Sequence, residues 1–254
     1  MTYEKNEILS PLYFAQPLSQ EQLSSRLDLL VGRSIGELCA LAKIEAPKNN
    51  IAAKGFAGQI LELFLGAHAH NQSLPDFVKL GIELKSLPVS SNFKVQTPTF
   101  VSMATLSSSS FIPFEHSSLY HKVNKLLFVL LHAPKGMPIG KRRILGYFFY
   151  TPDKPTLEAM AADYNEFCEL IFAARAREIN ASVGNILQIL PKAAHGQVYT
   201  PIRDHQGNKA YIAPKAYYLR PSFTNTLLEQ FVKEQGISTH MLESLKQLEH
   251  ELMM

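Results

Sequence analysis

The sequence predicts an α/β fold in which a central mixed sheet is flanked by helices, and three observations point to it. A chain of 254 residues with 46% hydrophobic content can bury a full core. Stretches with helical apolar spacing alternate with short extended runs. Residues 126–131 form an unbroken apolar run, the mark of a strand covered on both faces.

Taken in order, residues 18–43 read as two helices, the first opening at Ser19 and the second at Ser34, with Glu37 three positions on as in a capping box. Between residues 56 and 67 the spacing of Ile60, Leu61, Phe64 and Leu65 predicts a buried helix that ends near Gly66. Glu62 sits in its middle. Two extended segments follow, at 80–87 and 99–106, with a polar loop at 90–98 between them. The serines at 107–110 read as a loop before the buried strand at 126–131. Past a basic loop at 141–143, residues 155–179 carry a long helical pattern, with Pro155 near its first turn and Arg175 and Arg177 near its end. Residues 185–190 and 217–219 read as strands separated by a polar loop at 195–209. A helix then begins around Ser222 or Thr224, and residues 238–254 form a last, weakly amphipathic one. There is no internal repeat.

The formal net charge of +3 leans basic but is too small to assign a nucleic-acid partner. Two cysteines, Cys39 and Cys168, lie in apolar helix-like stretches, which excludes a disulfide framework and a Cys-rich zinc site. The first residues lack the basic start, apolar run and small-residue cleavage site of a secretory signal. No apolar run approaches the roughly 20 residues that cross a bilayer, so the expectation is a cytoplasmic protein without membrane contact. His68 and His70 follow a helix end without the further ligands of a metal site. Gly32 and Gly36 make no phosphate loop, and with no nucleotide-binding motif any ATP dependence would come from a partner.

The chemistry concentrates in one segment. In GIELKSL, Glu83 and Lys85 are two apart on an extended run, so a carboxylate and an ammonium leave one face while Ile82 and Leu84 point to the other. Upstream, Pro75-Asp76 ends a polar loop whose turn can bring a second carboxylate beside the strand. Glu62, in an otherwise apolar helix, is costly to bury unless a metal or cation meets it. Phosphodiester hydrolysis uses this set: carboxylate oxygens hold Mg²⁺ at about 2.0–2.1 Å, and the lysine orients water and stabilises charge. The pattern D-x(n)-E-x-K is also met as an ordinary ion pair on exposed strands, so spacing alone leaves both readings open.

Six blocks in order narrow the choice: KGFAGQILELFLGA, PDFVKLGIELKSLPV, TFVSMATL, YHKVNKLLFV, LQILPKA and YYLRPSFT together resemble the MutH family of mismatch-repair endonucleases. They span roughly residues 30–228; the part beyond residue 236 is not covered. The resemblance implies a restriction-endonuclease-like fold of the PD-(D/E)xK kind, with two lobes around a DNA cleft. Residues 1–135 would be mainly the catalytic lobe, 136–236 mainly the DNA-recognition lobe, and 237–254 a C-terminal helical extension. It also implies that Asp76 and Glu83 bind Mg²⁺, with Mn²⁺ able to substitute, that Lys85 contacts the attacking water, and that Glu62 completes the acidic site. Lys122 matches a further active-site lysine of the family; without that match it reads as a solvated position before a strand. His121 beside it could contact phosphate, though a core or capping role is the commoner one.

By the same resemblance, Lys192 and Tyr218 fall on positions associated with base recognition and with sensing adenine methylation in GATC. Where the family commonly has Arg-Pro-Lys this chain has Leu190-Pro191-Lys192, and leucine cannot make the bidentate contact to guanine. Arg220 is a candidate for the missing guanidinium. Lys141, Arg142, Arg143, Arg203, Lys209 and Lys215 are candidate phosphate contacts in loops. The expected protein is an endonuclease of double-stranded DNA that nicks the unmethylated strand at hemimethylated GATC sites, activated by a MutL-type mismatch-repair ATPase. The alternatives are a GATC-type restriction endonuclease and a non-catalytic DNA-binding protein with the same fold.

Overall fold

The computed structural model describes residues 15–48, 55–67, 73–106, 112–192, 199–204 and 206–234. The expected last helix at 238–254, the serine loop at 107–110, and His68 and His70 lie outside them. Helix α1 (Gln20–Leu30) opens where the Ser19 hydroxyl accepts from the Gln22 amide, and α2 (Ile35–Ala42) opens on a complete capping box between Ser34 and Glu37. Helix α3 (Phe56–Leu65) buries Ile60, Leu61, Phe64 and Leu65. It stops at Gly66, whose φ is +74° and where a Cβ would lie 2.3 Å from the Ala15 carbonyl oxygen, so only glycine fits. Arg26 closes that helix end by donating to the Leu65 carbonyl at 2.9 Å.

Strands β1 (Glu83–Val89) and β2 (Thr99–Met103) follow, then the short helix α4 (Ser118–Val123) and strands β3 (Leu126–His132) and β4 (Arg143–Tyr150). After them come α5 (Lys154–Phe172), β5 (Leu187–Pro191), β6 (Thr200–Arg203), β7 (Lys209–Ile212), β8 (Lys215–Leu219) and α6 (Pro221–Glu234). One sheet has the order β1-β3-β4, with β1 parallel and β4 antiparallel to β3. A second, antiparallel sheet has the order β2-β8-β5, and β6 pairs with β7 as a separate ribbon.

The first sheet is mixed and carries core on both faces. Leu84, Leu127, Val129 and Leu131 pack with α1, α2 and α3, while Leu87, Val89, Leu126, Phe128 and Leu130 pack with α5 and the second sheet. All seven residues of β3 are buried, as expected for a parallel-paired strand in mid-sheet. No helix among the described residues is long and apolar enough to cross a membrane.

Several expectations change. The helix predicted over 155–179 ends at Phe172, because Ala174 turns to a φ of +58° and the Arg175 amide bonds back to the Leu170 carbonyl at 2.8 Å. Lys215 is not an exposed loop cation. It is buried in β8, where its ammonium donates to the Ala176 and Ile179 carbonyls just past that helix end, at 3.0 and 2.6 Å. Strand β4 was not predicted, and the polar loop at 195–209 contains the start of a ribbon. The sheets also interleave along the chain: β2 joins the sheet of β5 and β8, and β4 joins that of β1 and β3. Residue 135 therefore falls between two strands of one sheet.

Candidate active site

The segment before β1 folds back on itself. Phe77 and Ile82 exchange backbone hydrogen bonds of 2.9 and 3.3 Å around a turn that needs Gly81 at a φ of +64°. Asp76 is thereby laid along the free edge of β1. The Glu83 amide points inward to the Lys125 carbonyl, so by strand alternation the Leu84 amide points outward, and Asp76 Oδ2 accepts it at 2.8 Å. The two carboxylates thus sit beside adjacent residues of one strand.

Glu83 is 2% exposed, and both of its oxygens are engaged. Lys85 Nζ donates to Oε1 at 2.6 Å, and Lys122 Nζ donates to both oxygens at 3.0 Å. Glu83 and Lys85 share a strand face, as their spacing predicts. Lys122 arrives differently: Ser117 caps α4 by accepting the Tyr120 amide, and the six-residue helix turns Lys122 inward with Leu119 and Val123. It is a buried residue of a helix, while its neighbour His121 is exposed. Buried charges persist when they are paired and hydrogen-bonded, and these are.

Glu62 faces the same group from α3. Burial pushes its carboxyl up, with Glu83 adding and Lys85 and Lys122 opposing. Burial likewise raises Asp76 to about 6; the Glu83 and Glu62 carboxylates add to the rise, and Lys85 and the Leu84 amide oppose it. Three acids and two ammonium groups therefore feel one another at the edge of β1.

Among the described residues no three Asp, Glu, His or Cys side chains are gathered as a ready metal shell. The donor set nonetheless fits Mg²⁺, which commonly takes one or two carboxylates and completes its octahedron with water and phosphate oxygens. Crowded acids whose protonation is favoured by burial and like charge are also what a divalent cation relieves.

The second sheet reaches this site through Phe100, a residue the sequence did not single out. Lys85 Nζ stands 5.6 Å from its ring centroid and Lys192 Nζ stands 2.9 Å from it. The Tyr218 ring meets it edge-on at 5.7 Å. In register, Phe100 pairs with Tyr218 across β2 and β8, and Gln188 pairs with Tyr218 across β8 and β5. Lys192 and Tyr218 therefore join the same neighbourhood as Lys85. Arg220 does not join it: its guanidinium donates to the Ala181, Val183 and Leu187 carbonyls at 2.7, 2.8 and 3.3 Å and ties the approach to β5 onto β8. An aromatic on a strand usually reads as core, which is why nothing in the sequence marked Phe100.

The family model described as DNA mismatch repair enzyme MutH matches residues 65–163, the stretch that holds Asp76, Glu83, Lys85 and Lys122. The DNA mismatch repair protein MutH of Klebsiella pneumoniae is 35% identical over 212 residues, 84% of this chain and 92% of that protein. The MutH protein of Citrobacter koseri is 34% identical over 228 residues, covering 90% of this chain and 99% of its own length. That of Escherichia coli is 34% identical over 221 residues, covering 87% and 94%.

Proposed function

The chain belongs to the MutH family of DNA mismatch repair enzymes, and we propose that it nicks the unmethylated strand of duplex DNA at hemimethylated GATC sites, 5′ to the guanine, by Mg²⁺-dependent phosphodiester hydrolysis. Membership makes it a mismatch-repair endonuclease; the target sequence, the strand choice and the metal are our reading. The observation that carries the chemistry is the meeting of Asp76, Glu83, Lys85 and Lys122 at one strand edge.

In this reading Asp76 and Glu83 would hold Mg²⁺, which when bound would supply positive charge against the phosphate and favour deprotonation of water. Lys85, oriented by its 2.6 Å bond to Glu83, donates to the attacking water or to a phosphate oxygen as negative charge grows there. Lys122 fixes the Glu83 carboxylate by bonding both of its oxygens, and Glu62 keeps a further acid beside the reacting water. The water oxygen joins phosphorus as the bond to the 3′ oxygen breaks, and the proton that the water gives up passes to solvent. A 5′ phosphate remains, and the 3′ oxygen leaves as a hydroxyl with a proton from solvent.

Base reading falls to Lys192 and Tyr218, supported by their contacts to Phe100 beside Lys85. With leucine at 190, guanine recognition rests on fewer charged groups than the family's Arg-Pro-Lys provides, and the Arg220 guanidinium would have to leave three carbonyls to help. Activation by a MutL-type ATPase is part of the proposal, since the chain has no nucleotide-binding motif of its own. The test is nicking of hemimethylated, fully methylated and unmethylated GATC plasmids in Mg²⁺, with and without that ATPase. Nicking of the unmethylated strand, suppressed by full methylation, is expected. Partner-free double-strand breaks in unmethylated plasmid would instead identify a restriction endonuclease.

A further inference from the structure

The ribbon of β6 and β7 is inserted between the two strands that carry the base-reading candidates. It follows Lys192 at the end of β5 and returns into β8, which bears Tyr218. Its inner side belongs to the core: Ile202 is 7% exposed, and Ala210 and Ile212 pack on the same cluster. Its outer side is cationic and aromatic. Arg203 lies directly across from Lys209, and Pro201 lies directly across from Tyr211, which is 60% exposed. Like charges placed opposite each other on a ribbon repel and destabilise it. In the turn, Asp204 accepts the Gln206 and Asn208 amides through Oδ1, and the Arg203 guanidinium donates to the Gly207 carbonyl at 2.7 Å.

The ribbon forms one wall of a cavity of about 360 Å³, with Leu106 and Ile171 on its floor and Arg203, Lys209 and Tyr211 at its side. An apolar floor beside two cations and an exposed ring matches the chemistry of a sugar–phosphate chain. On a duplex, phosphates would meet the cations, and deoxyribose would lie against the apolar lining and the exposed ring. We propose that this ribbon and its cavity grip the backbone of the duplex outside the base-reading site, lengthening the DNA footprint beyond the bases that Lys192 and Tyr218 reach. The inference rests on the endonuclease reading above. Its ligand is the DNA phosphate chain, whose anionic oxygens Arg203 and Lys209 would meet from adjacent register positions.

The test uses the full chain and an Arg203→Ala, Lys209→Ala double variant, with duplexes either trimmed close to the target site or extended on both sides. Affinity is measured across a salt series. On the extended duplex the variant should bind more weakly, and its salt slope should fall by about 0.9 log units per tenfold salt for each phosphate that is no longer neutralised. On the trimmed duplex the affinities and salt slopes of the two proteins should coincide. A melting temperature equal to or above that of the parent shows that folding is intact; if the double variant melts lower, the Lys209→Gln variant serves in its place. Equal slopes on the extended duplex overturn the ribbon proposal and leave the endonuclease reading standing. A parent chain that neither binds nor nicks duplex DNA overturns both. Slopes that are unchanged while only ATPase-stimulated nicking disappears would assign the surface to a protein partner, and that too overturns the proposal.

Discussion

At about 6, the Asp76 carboxyl titrates well above the usual aspartate range, first because it is buried and then because Glu83 and Glu62 face it. Between the ordinary value of 3.8 and about 6, the folded chain holds a proton that the unfolded chain has released. Metal-free stability should therefore fall as pH rises through that window, by about 3 kcal/mol in full, and the loss should be complete above it. Asp76→Asn should accordingly melt higher than the parent at neutral pH without metal, and the difference should shrink toward pH 4. If Asp76 holds the metal as proposed, protons and metal compete for this carboxylate. The acid limb of the nicking profile should move to lower pH as Mg²⁺ is raised, whereas an acid limb that ignores Mg²⁺ would separate Asp76 from the metal. Of these residues, Glu83 and Lys85 were legible because a strand's period of two puts them on one face, and Asp76 because Pro-Asp ends a loop. Lys122 was readable only by resemblance, since a lysine in a polar stretch gives no sign that a short capped helix will turn it inward.

Strand β5 is positioned by a carboxylate in the core. Asp163 on α5, 1% exposed, accepts the Asn185 amide through Oδ1 at 2.7 Å and the Ile186 and Leu187 amides through Oδ2 at 2.7 and 2.8 Å. Gly184 makes the approach possible, because a Cβ there would meet the Leu187 carbonyl at 2.4 Å. Asp163→Asn puts an amide donor against backbone donors. It should cost on the order of 3 kcal/mol in urea unfolding and should weaken discrimination between GATC and altered sites more than it weakens cleavage itself. An unchanged unfolding midpoint would show that the strand start is held by other contacts. Elements with one clear pattern were legible, as in the capped helices α1 and α2 and the apolar run at residues 126–131 of β3. Strand β4 was not, because most of its positions are half-buried and its pairing with β3 shifts between Leu130 and Leu131, opposite Gly146 and Ile144, so no alternation survives. The ribbon strands are only four residues each, too short to show a period, and β6 lies inside the stretch read as a polar loop.

Across the whole molecule, the interleaving of the two sheets is what makes the site. Strand β2 leaves the edge of the catalytic segment and pairs with β8 in the other sheet, and so carries Phe100 to Lys85 on one side and to Lys192 and Tyr218 on the other. The proposed cleavage and base-reading residues thus meet at one ring, which no local pattern in the chain could reveal. Each sheet takes strands from either side of residue 135. Glu83 is the center of this joint, since both lysines bond it and both neighbouring acids feel its charge. The decisive measurement is single-turnover nicking and equilibrium binding of a hemimethylated GATC duplex by the parent and by Glu83→Ala, in Mg²⁺ with the activating ATPase present. Nicking should fall by about a thousand-fold while duplex binding is kept. A Glu83→Ala protein that nicks at the parent rate would contradict the account.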